Sequence, residues 1–279
     1  MQMHEPPVAS VPGSRATIVS GVRGGEAFER MDWVAEEVPV ALEYNGISHA
    51  VMLATPSDLE DFAVGFSRTE GIVDDMAQIF DFDQVQSAQG FTLSLKIASS
   101  CLARLKERRR SMAGRTGCGL CGTDSLDQAL RYPQTLEAVS TRFEAAAVAR
   151  ALGDLRGRQV LLGVTGATHA AAWCNAAGEI ALVREDVGRH NALDKLVGAL
   201  LRAQVVAVEG FILISSRASY EMVQKAATAG VTVLAAVSGV TALAIEVAET
   251  AGVALLGFAR GNDVCIYSHA EKISLKKPI

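Results

Sequence analysis

The sequence has few aromatic residues, no excess of positive charge and no long apolar run. Aromatic residues make up 5% of its 279 positions, and the formal net charge is −5. A general nucleic-acid binder needs a strongly basic face, so the composition disfavours this class. Residues 1–20 lack the apolar core of a secretory signal, and the most apolar stretch, Ala229 to Ile245, is shorter than a membrane span. We therefore expect a soluble protein that binds neither nucleic acid nor a membrane.

Structural disulfides are not expected either. The chain has five cysteines, an odd number at irregular spacing, which favours a reducing, cytoplasmic location over a disulfide framework. Cys101, Cys174 and Cys265 lie in apolar sequence contexts, and we interpret them as small buried hydrophobic residues. The remaining two, Cys118 and Cys121, have a different setting.

Cys118 and Cys121 lie three residues apart in the segment Gly114 to Gly122, which contains four glycines and follows the cationic run Lys106 to Arg110. Glycine adopts backbone angles that other residues avoid, so residues 113–123 are predicted to form a mobile loop. The nearby positive charges favour the thiolate, which is the reactive form of cysteine. We interpret the segment as a reactive sulfur loop.

Two other interpretations of this cysteine pair stay open. The pair is compatible with half of a zinc site that His169 or His190 would complete, although no second CxxC follows and zinc needs four ligands. It is also compatible with a thioredoxin-type redox pair. That motif normally opens a helix in a βαβ setting, whereas here glycines lie on both sides.

Composition and periodicity divide the chain into four predicted parts: a flexible N-terminal arm (1–30), a small α+β domain (31–112), the cysteine loop (113–123) and a larger α/β domain (124–279). In the second part, Asn45-Gly46 is a strong hairpin signal between two apolar runs. Ser57 to Glu60 is a capping-box pattern that predicts the start of a helix. The further elements predicted there are a hairpin from Phe80 to Ile97 and a helix from about Ser99 to Arg110.

In the α/β domain, short apolar strands alternate with amphipathic helices, which predicts a largely parallel sheet covered on both faces. The predicted helices are Thr141 to Leu155, Gly188 to Ala203, Tyr220 to Ala229 and Thr241 to Ala251. The predicted strands are Val160 to Val164, the hairpin His169 to Cys174 with Ile180 to Val183, Phe211 to Ile214, Val231 to Val237 and Val253 to Phe258.

Three successive strand ends of this predicted sheet carry short polar or glycine-rich sequences. They are Ser215-Ser216-Arg217, Ser238-Gly239 and Arg260 to Asp263. Ligands of such sheets bind beyond the carboxyl ends of the strands, and the N-terminal amides of the helices that follow the first two segments favour anions. The sequence therefore predicts a site for a phosphate-bearing ligand, with ordinary caps and turns as the alternative.

The segment that follows the predicted hairpin is dense in functional groups. In a structural interpretation Asp186 caps a helix and Glu185 pairs with an arginine. In a functional one, Arg189, His190 and Asn191 face the predicted ligand site, or His190 moves protons.

Segments along nearly the whole chain after residue 35 match the motifs of one known family. They are Glu37 to Val40, Tyr44 to Gly46, Asp61 to Phe66, Arg115 to Gly122, Thr165-Gly166 with His169 to Ala171, Arg184 to Lys195, Ser215 to Ala227 and Gly257-Phe258. In these segments the chain resembles the FdhD family of formate dehydrogenase accessory sulfurtransferases.

This resemblance implies a sulfur carrier. A cysteine desulfurase would pass sulfur to the loop, with Cys118 carrying the persulfide and Cys121 in a supporting role. The persulfide would be delivered to the molybdenum cofactor in its bis-molybdopterin guanine dinucleotide form, which formate dehydrogenase then receives. The implied fold has a deaminase-like C-terminal domain, the implied assembly is a homodimer, and no resident metal is implied.

The resemblance also places cofactor binding on the last strand end, so that a guanine nucleotide is expected to mimic the cofactor there. The residues implied are Phe258, Ala259, Arg260, Gly261, Asn262 and Asp263. The rim prediction adds Ser215, Arg217 and Ser238. Two other functions stay open: a thiol-disulfide oxidoreductase, which would cycle a Cys118–Cys121 disulfide, and a cofactor chaperone that moves no sulfur.

Overall fold

The computed structural model describes residues 10–111, 132–136, 142–261 and 263–275. The predicted cysteine loop, with Cys118 and Cys121, and position Asn262 therefore lie outside the described residues. Within these ranges the chain forms 14 strands and seven α-helices, a mixed α/β architecture.

The first described element is a long β-hairpin, where the sequence predicted a loose arm. Strand β1 (Ser14–Arg23) pairs in antiparallel register with β2 (Glu26–Ala35) over its full length. The turn between them is Gly24-Gly25, with φ of 60° and 90°. A two-residue turn of this kind requires positive φ at both positions, which glycine adopts without strain. The prediction of a loose arm was wrong for these residues, because Gly24-Gly25 forms a hairpin turn that joins two long strands.

A four-stranded sheet in the order β4-β3-β6-β5 forms the smaller unit. Its strands are β3 (Val38–Tyr44), β4 (Ile47–Ala54), β5 (Ile79–Ser87) and β6 (Gly90–Ile97). The predicted hairpin at Asn45-Gly46 is confirmed, with φ of 51° and 77° at the turn, and so is the hairpin that joins β5 to β6.

Helices α1 (Leu59–Thr69) and α2 (Ser99–Ser111) contribute apolar side chains to the core of this sheet, among them Phe62, Phe66 and Leu105. The predicted helix after Ser57 is confirmed, but its capping box is not. The N-cap residue is Asp58, in the left-handed conformation, and its side chain makes no capping hydrogen bond.

The larger unit is a six-stranded sheet in the order β13-β12-β11-β10-β8-β9. Its strands are β8 (His169–Asn175), β9 (Ile180–Asp186), β10 (Gly210–Ile214), β11 (Val233–Ala236), β12 (Ala254–Arg260) and β13 (Asp263–Ile266). Only β10, β11 and β12 run parallel to one another, and the other three strands are antiparallel to their neighbours. The prediction of a largely parallel sheet was therefore wrong; the sheet is mixed, because hairpins supply both of its edges.

Helices cover both faces of the larger sheet, as predicted. One face packs against α5 (Arg189–Arg202), α6 (Tyr220–Thr228) and α7 (Ala242–Ala251), through residues such as Leu196, Met222 and Val247. The other face packs against α3 (Ala145–Arg158), for example through Val148 and Leu155. The short strands β7 (Phe143–Glu144) and β14 (Ile273–Ser274) pair beside this second core.

Helix α4 (Val160–Thr165) occupies the position where a strand was predicted. The Glu185 carboxylate accepts hydrogen bonds from the amides of Leu161 and Leu162 at 2.8 Å, and so satisfies two donors at the N-terminus of this helix. The prediction was wrong because a five-residue apolar run is equally compatible with a buried strand and a short helix, and the group that decides lies on β9.

The two units are joined by a close crossing of α1 and α5. A Cβ at Gly65 would overlap the carbonyl oxygen of Asp194, and one at Gly198 would overlap that of Asp61. Charged side chains bracket the crossing: Asp61 accepts from Arg184 at 2.8 Å, and the buried Lys225 ammonium lies 2.9 Å from Asp194. The smaller sheet is therefore fixed onto the helical face of the larger one.

Candidate functional site

The three predicted strand ends meet along one edge of the larger sheet, as expected from the sequence. The amide of Ala218 donates to the Gly239 carbonyl at 3.1 Å, and the amide of Thr241 donates back to Ala218 at 3.1 Å. The amide of Phe258 donates to the Ser238 carbonyl at 3.0 Å. We call residues 215–219, 237–241 and 258–261 the strand-end rim.

Phe258 has an unusual backbone conformation on this rim. Its φ is 50°, which is an outlier for a bulky residue, and it lies in a β-bulge between β12 and β13. Phe258 is 49% exposed, and the tip of its ring lies against Gly239, where a Cβ would be 3.0 Å from the Cζ atom. Strained conformations of this kind cost about 1–3 kcal/mol and concentrate at functional sites. The bulge therefore places an exposed aromatic side chain on the rim.

The other predicted ligand residues differ in how accessible they are. Arg217 and Asp263 are exposed, whereas Ala259 is buried in the core, so its side chain does not face the rim. The Ser215 hydroxyl accepts a hydrogen bond from the amide of Ala170 at 2.8 Å, which ties the first rim segment to β8. Ser238 is half-buried, and its carbonyl accepts the hydrogen bond from the amide of Phe258.

The last turn of the predicted ligand segment is tight. Gly261 has a φ of 56°, and the backbone of Arg260 pairs with that of Asp263 across the turn. For Arg260 the structure describes the backbone alone.

A cluster of titratable side chains lies at the β8 end of the rim. His190, in the first turn of α5, approaches Glu221, in the first turn of α6, with 2.6 Å between Nε2 and Oε2. This contact lowers the pKa of Glu221. Partial burial lowers the pKa of His169, and the nearby Arg189 and His190 lower it further. The cluster therefore places two imidazoles and a guanidinium close together, with one ionised carboxylate.

One of the two interpretations of the sequence expected Arg189 and His190 at this site, and neither expected Glu221. Thirty-one positions separate His190 from Glu221, and only the adjacent starts of α5 and α6 bring them together. One signal in the sequence could have indicated Glu221: it is an acidic residue in the first turn of a helix that follows a polar strand end.

Asn191 and Asp186 belong to the packing between the two units rather than to the rim. Asn191 is buried and donates to the Leu53 carbonyl at 2.8 Å and to Asp186 Oδ1 at 3.0 Å. Asp186 also accepts from the amide of Thr55 at 2.9 Å and pairs with the buried Lys195 at 2.7 Å. The expectation that Asn191 faces the ligand site was therefore wrong.

Asp186 and Glu185 both act at helix starts. Asp186 accepts from the amide of Gly188, the N-cap residue of α5, but α5 has no side-chain capping hydrogen bond, so the expectation that Asp186 caps this helix was wrong. Glu185 binds the start of α4 and the Thr168 hydroxyl rather than the predicted arginine.

Across the described ranges, no group of three or more His, Cys, Asp or Glu side chains is arranged to hold a metal ion. None of the helices there is long and apolar enough to cross a membrane.

The fold and the rim define a mixed α/β protein whose parallel strands end at a candidate ligand site. The chain belongs to the FdhD/NarQ family, whose family model matches residues 35–274. The family resemblance seen in the sequence is thereby confirmed.

Two relatives of the same name match this chain over almost their whole length. The Sulfur carrier protein FdhD of Variovorax paradoxus (strain S110) is 57% identical over 267 residues, which cover 94% of this chain and 95% of the relative. The Sulfur carrier protein FdhD of Bordetella petrii is 57% identical over 257 residues, covering 91% and 92%.

The fold also matches a solved structure. The crystal structure of a candidate formate dehydrogenase accessory protein from Desulfotalea psychrophila superposes with a TM-score of 0.75 at 21% identity, covering 94% of this chain and all of that one. At 21% sequence identity, this similarity shows a shared fold and nothing about function.

Proposed function

We propose that this protein is a sulfur carrier for formate dehydrogenase. The observation that carries the proposal is the 57% identity, over 94% of the chain, to a relative named for sulfur carriage. Two features of the described residues are compatible with this role. Cys101 and Cys174 are buried and therefore poorly placed to carry sulfur, and the strand-end rim offers a separate site for the acceptor of the sulfur.

In this proposal the protein is a sulfurtransferase that acts through a cysteine persulfide. The thiolate of Cys118 attacks the terminal sulfur of a persulfide on a cysteine desulfurase and takes over that sulfur, and the desulfurase cysteine leaves as a thiolate. Cys121 supports Cys118. Arg115 and the run Lys106 to Arg110 favour the thiolate on which the attack depends.

The acceptor in this proposal is the molybdenum cofactor as bis-molybdopterin guanine dinucleotide, which is the substrate rather than a resident group. The exposed ring of Phe258 suits a flat purine base, since aromatic faces stack on bases. The exposed Arg217 suits a phosphate. Arg260, Gly261, Asn262 and Asp263 complete the proposed binding segment, with Ser215 and Ser238 beside it.

The proposal extends to the setting of the reaction. The protein acts in the cytoplasm as a homodimer and meets two partners, the desulfurase and formate dehydrogenase. The six-stranded sheet lies between two helical layers, and this three-layer arrangement supports a deaminase-like description of the larger unit. The Ala171 that follows His169-Ala170 stands where a zinc deaminase would need a glutamate, so deaminase chemistry is not part of the proposal.

Activation of formate dehydrogenase tests this function. Cells that lack their own carrier would be supplied with wild type or with Cys118→Ala, and formate oxidation would be measured in extracts. We expect Cys118→Ala to lose activation, because the sulfur has no thiolate to accept it, and to bind guanosine diphosphate as tightly as wild type. Cys265→Ser is the matched control, and we expect it to activate normally.

Full activation by Cys118→Ala would contradict sulfur carriage by this residue. Full activation by the Cys118→Ala/Cys121→Ala double variant would favour a chaperone that moves no sulfur. A double variant that loses activation while wild type reduces a model disulfide would favour the thiol-disulfide oxidoreductase.

A further inference from the structure

The hairpin of β1 and β2 carries an apolar face that the described part of the chain leaves exposed. Ile18, Val22 and Met31 lie on this face, and each is more than half exposed. Ile18 and Met31 are directly paired across the two strands, and Val22 lies two rows closer to the tip. The row between them holds the exposed Ser20 and Glu29. We call Ile18, Val22 and Met31 the hairpin face.

The opposite face of the hairpin is covered by its own side chains. The Phe28 ring lies against Gly21, where a Cβ would be 2.7 Å from the ring. The Arg30 guanidinium lies 5.6 Å from the centre of the Phe28 ring and also pairs with Asp32 at 3.0 Å. The side of the hairpin that a partner would cover is therefore the hairpin face.

The hairpin is attached to the rest of the chain at its base. A Cβ on Gly13 would overlap the Thr55 side chain, and the two strands pack against α4. At the tip, a Cβ on Gly24 or Gly25 would meet no heavy atom within 4 Å. A lone two-stranded hairpin is at best marginally stable in water. A hairpin with strands of 10 residues each therefore needs a surface that covers it.

A second apolar surface lies on the outer face of the four-stranded sheet, the face turned away from α1 and α2. Val51 and Leu53 of β4 and Val85 of β5 are each more than half exposed there. We call these three residues the sheet face. Strand register places one row of small side chains across all four strands, formed by Val51, Ala41, Thr92 and Val85.

The hairpin face and the sheet face lie at the same end of the smaller unit. Strand β2 ends at Ala35 and β3 begins at Val38, so two residues connect the hairpin to the sheet. Pro39, the second residue of β3, is paired with Leu53 of the sheet face. A hairpin that leaves one copy of the chain at this end can therefore lie across the sheet face of a second copy.

We propose that the hairpin face packs on the sheet face of a second copy of this chain, in a reciprocal exchange about a two-fold axis. The inference rests on the homodimer of the proposed function and assigns its contact surface. The chain itself carries both halves of the contact, so one closed two-fold arrangement covers both faces of both copies.

The area available fits a dimer of this kind. Two strands of 10 residues give a face about 34 Å long and roughly 10 Å wide, or about 340 Å². In a reciprocal exchange each copy contributes one hairpin face and one sheet face, which together bury about 700 Å² per copy. Stable complexes bury roughly 800 Å² per partner.

Analytical ultracentrifugation of the full-length protein tests the exchange. We expect wild type to sediment as a dimer with twice the chain mass of 29.4 kDa. Ile18→Glu/Met31→Glu on the hairpin face should weaken dimerisation about a hundredfold, because the contact would bury carboxylates that lack partners. Val51→Glu/Leu53→Glu on the sheet face should have the same effect.

Val206→Glu is the matched control, because Val206 is an equally exposed apolar residue that lies outside both faces. It should leave the dimer intact. Circular dichroism verifies that each variant is folded.

Cross-linking identifies which faces meet. Two chains with different tags, one with Ile18→Cys and one with Val51→Cys, would be co-expressed without the thiols of Cys118, Cys121 and Cys265 and treated with a short bis-maleimide. The exchange predicts a cross-link between the two tagged chains. Replacing Val51→Cys by Val206→Cys should abolish the cross-link.

Three results would overturn the assignment. A wild type that stays monomeric would leave both faces to a different protein. A dimer that survives either pair of glutamate substitutions would have its interface elsewhere. A dimer that gives no cross-link between positions 18 and 51 would not exchange its hairpins. Failure of sulfur carriage is a separate result, which would appear as absence of a sulfur adduct on Cys118 in a protein that still dimerises.

Discussion

The tip of the Phe258 ring lies against Gly239, so close that a single methyl group at position 239 would be 3.0 Å from its Cζ atom. Two neighbouring strand ends thus determine each other's shape. The glycine leaves the space that the aromatic ring fills, and the bulge at Phe258 directs the ring onto the rim. The candidate base site depends on this pair.

Gly239→Ala should therefore weaken guanine nucleotide binding. The added Cβ pushes the Phe258 ring away from its position, and the backbone at 239 itself accepts alanine because its φ is not in the left-handed region. We expect about a tenfold loss of affinity and a change in unfolding free energy of less than about 1 kcal/mol. Titration calorimetry and urea unfolding measure the two effects separately.

Gly153→Ala is the control for this substitution, because a Cβ there meets nothing within 4 Å. It should leave nucleotide affinity unchanged. Equal nucleotide affinities for Gly239→Ala and wild type would mean that Phe258 does not contact the base.

The crossing of α1 and α5 predicts a stability effect of a different kind. Gly65→Ala places a methyl group into the backbone of α5 at Asp194, where neither helix has a flexible side chain to move away. We expect a loss of about 2–3 kcal/mol in unfolding free energy. Urea unfolding monitored by circular dichroism measures it.

Gly163→Ala, on α4 with open space at its Cβ, should be close to neutral in the same experiment. If Gly65→Ala unfolds at the same urea concentration as wild type, the two units are not packed through this crossing.

The described cysteines predict which thiols are inert. Burial raises the pKa of Cys174 to about 12, and Cys101 is fully buried. Cys265 is exposed on the edge strand β13, so its interpretation as a buried residue was wrong. In the Cys118→Ala/Cys121→Ala variant, three cysteines remain, and we expect iodoacetamide to label Cys265 alone in native buffer and all three in denaturant. Peptide mass spectrometry assigns the sites.

Because the pKa of Cys174 is higher in the folded state, its neutral thiol favours the fold. That contribution is complete below a pH of about 9 and is lost as the pH rises towards 12. Rapid labelling of Cys174 in the native protein near neutral pH would contradict this prediction. It would show that the sheet around Cys174 opens easily and that Cys174 is a further thiol able to accept sulfur.

Local signals in the sequence predicted much of the fold. Asn45-Gly46 specified its hairpin because the two turn residues alone determine the geometry. The alternation of apolar strands and amphipathic helices after residue 188 likewise predicted α5, α6 and α7 in order. These elements depend on residues that are close together in the chain.

The predictions were wrong where residues far apart in the chain determine the local structure. Glu185 on β9 stabilises the start of the helix Val160–Thr165 by accepting hydrogen bonds from its amides. The short apolar sequence of this helix does not indicate that Glu185 is its hydrogen-bond partner. Strand order is equally non-local: β10 lies beside β8 in antiparallel orientation, which makes the sheet mixed. The convergence of the polar strand ends was predictable from the parallel strands alone, but the contact between His190 and Glu221 was not.

Intact-protein mass spectrometry after incubation with a cysteine desulfurase and cysteine tests the central claim most directly. The proteins compared are wild type, Cys118→Ala and Cys121→Ala, with Cys265→Ser as a control. Sulfur carriage predicts a sulfur adduct on wild type and on Cys265→Ser that is absent from Cys118→Ala. Wild type that gains no sulfur, and only loses two hydrogens on oxidation, would contradict sulfur carriage and identify the cysteines as a redox pair.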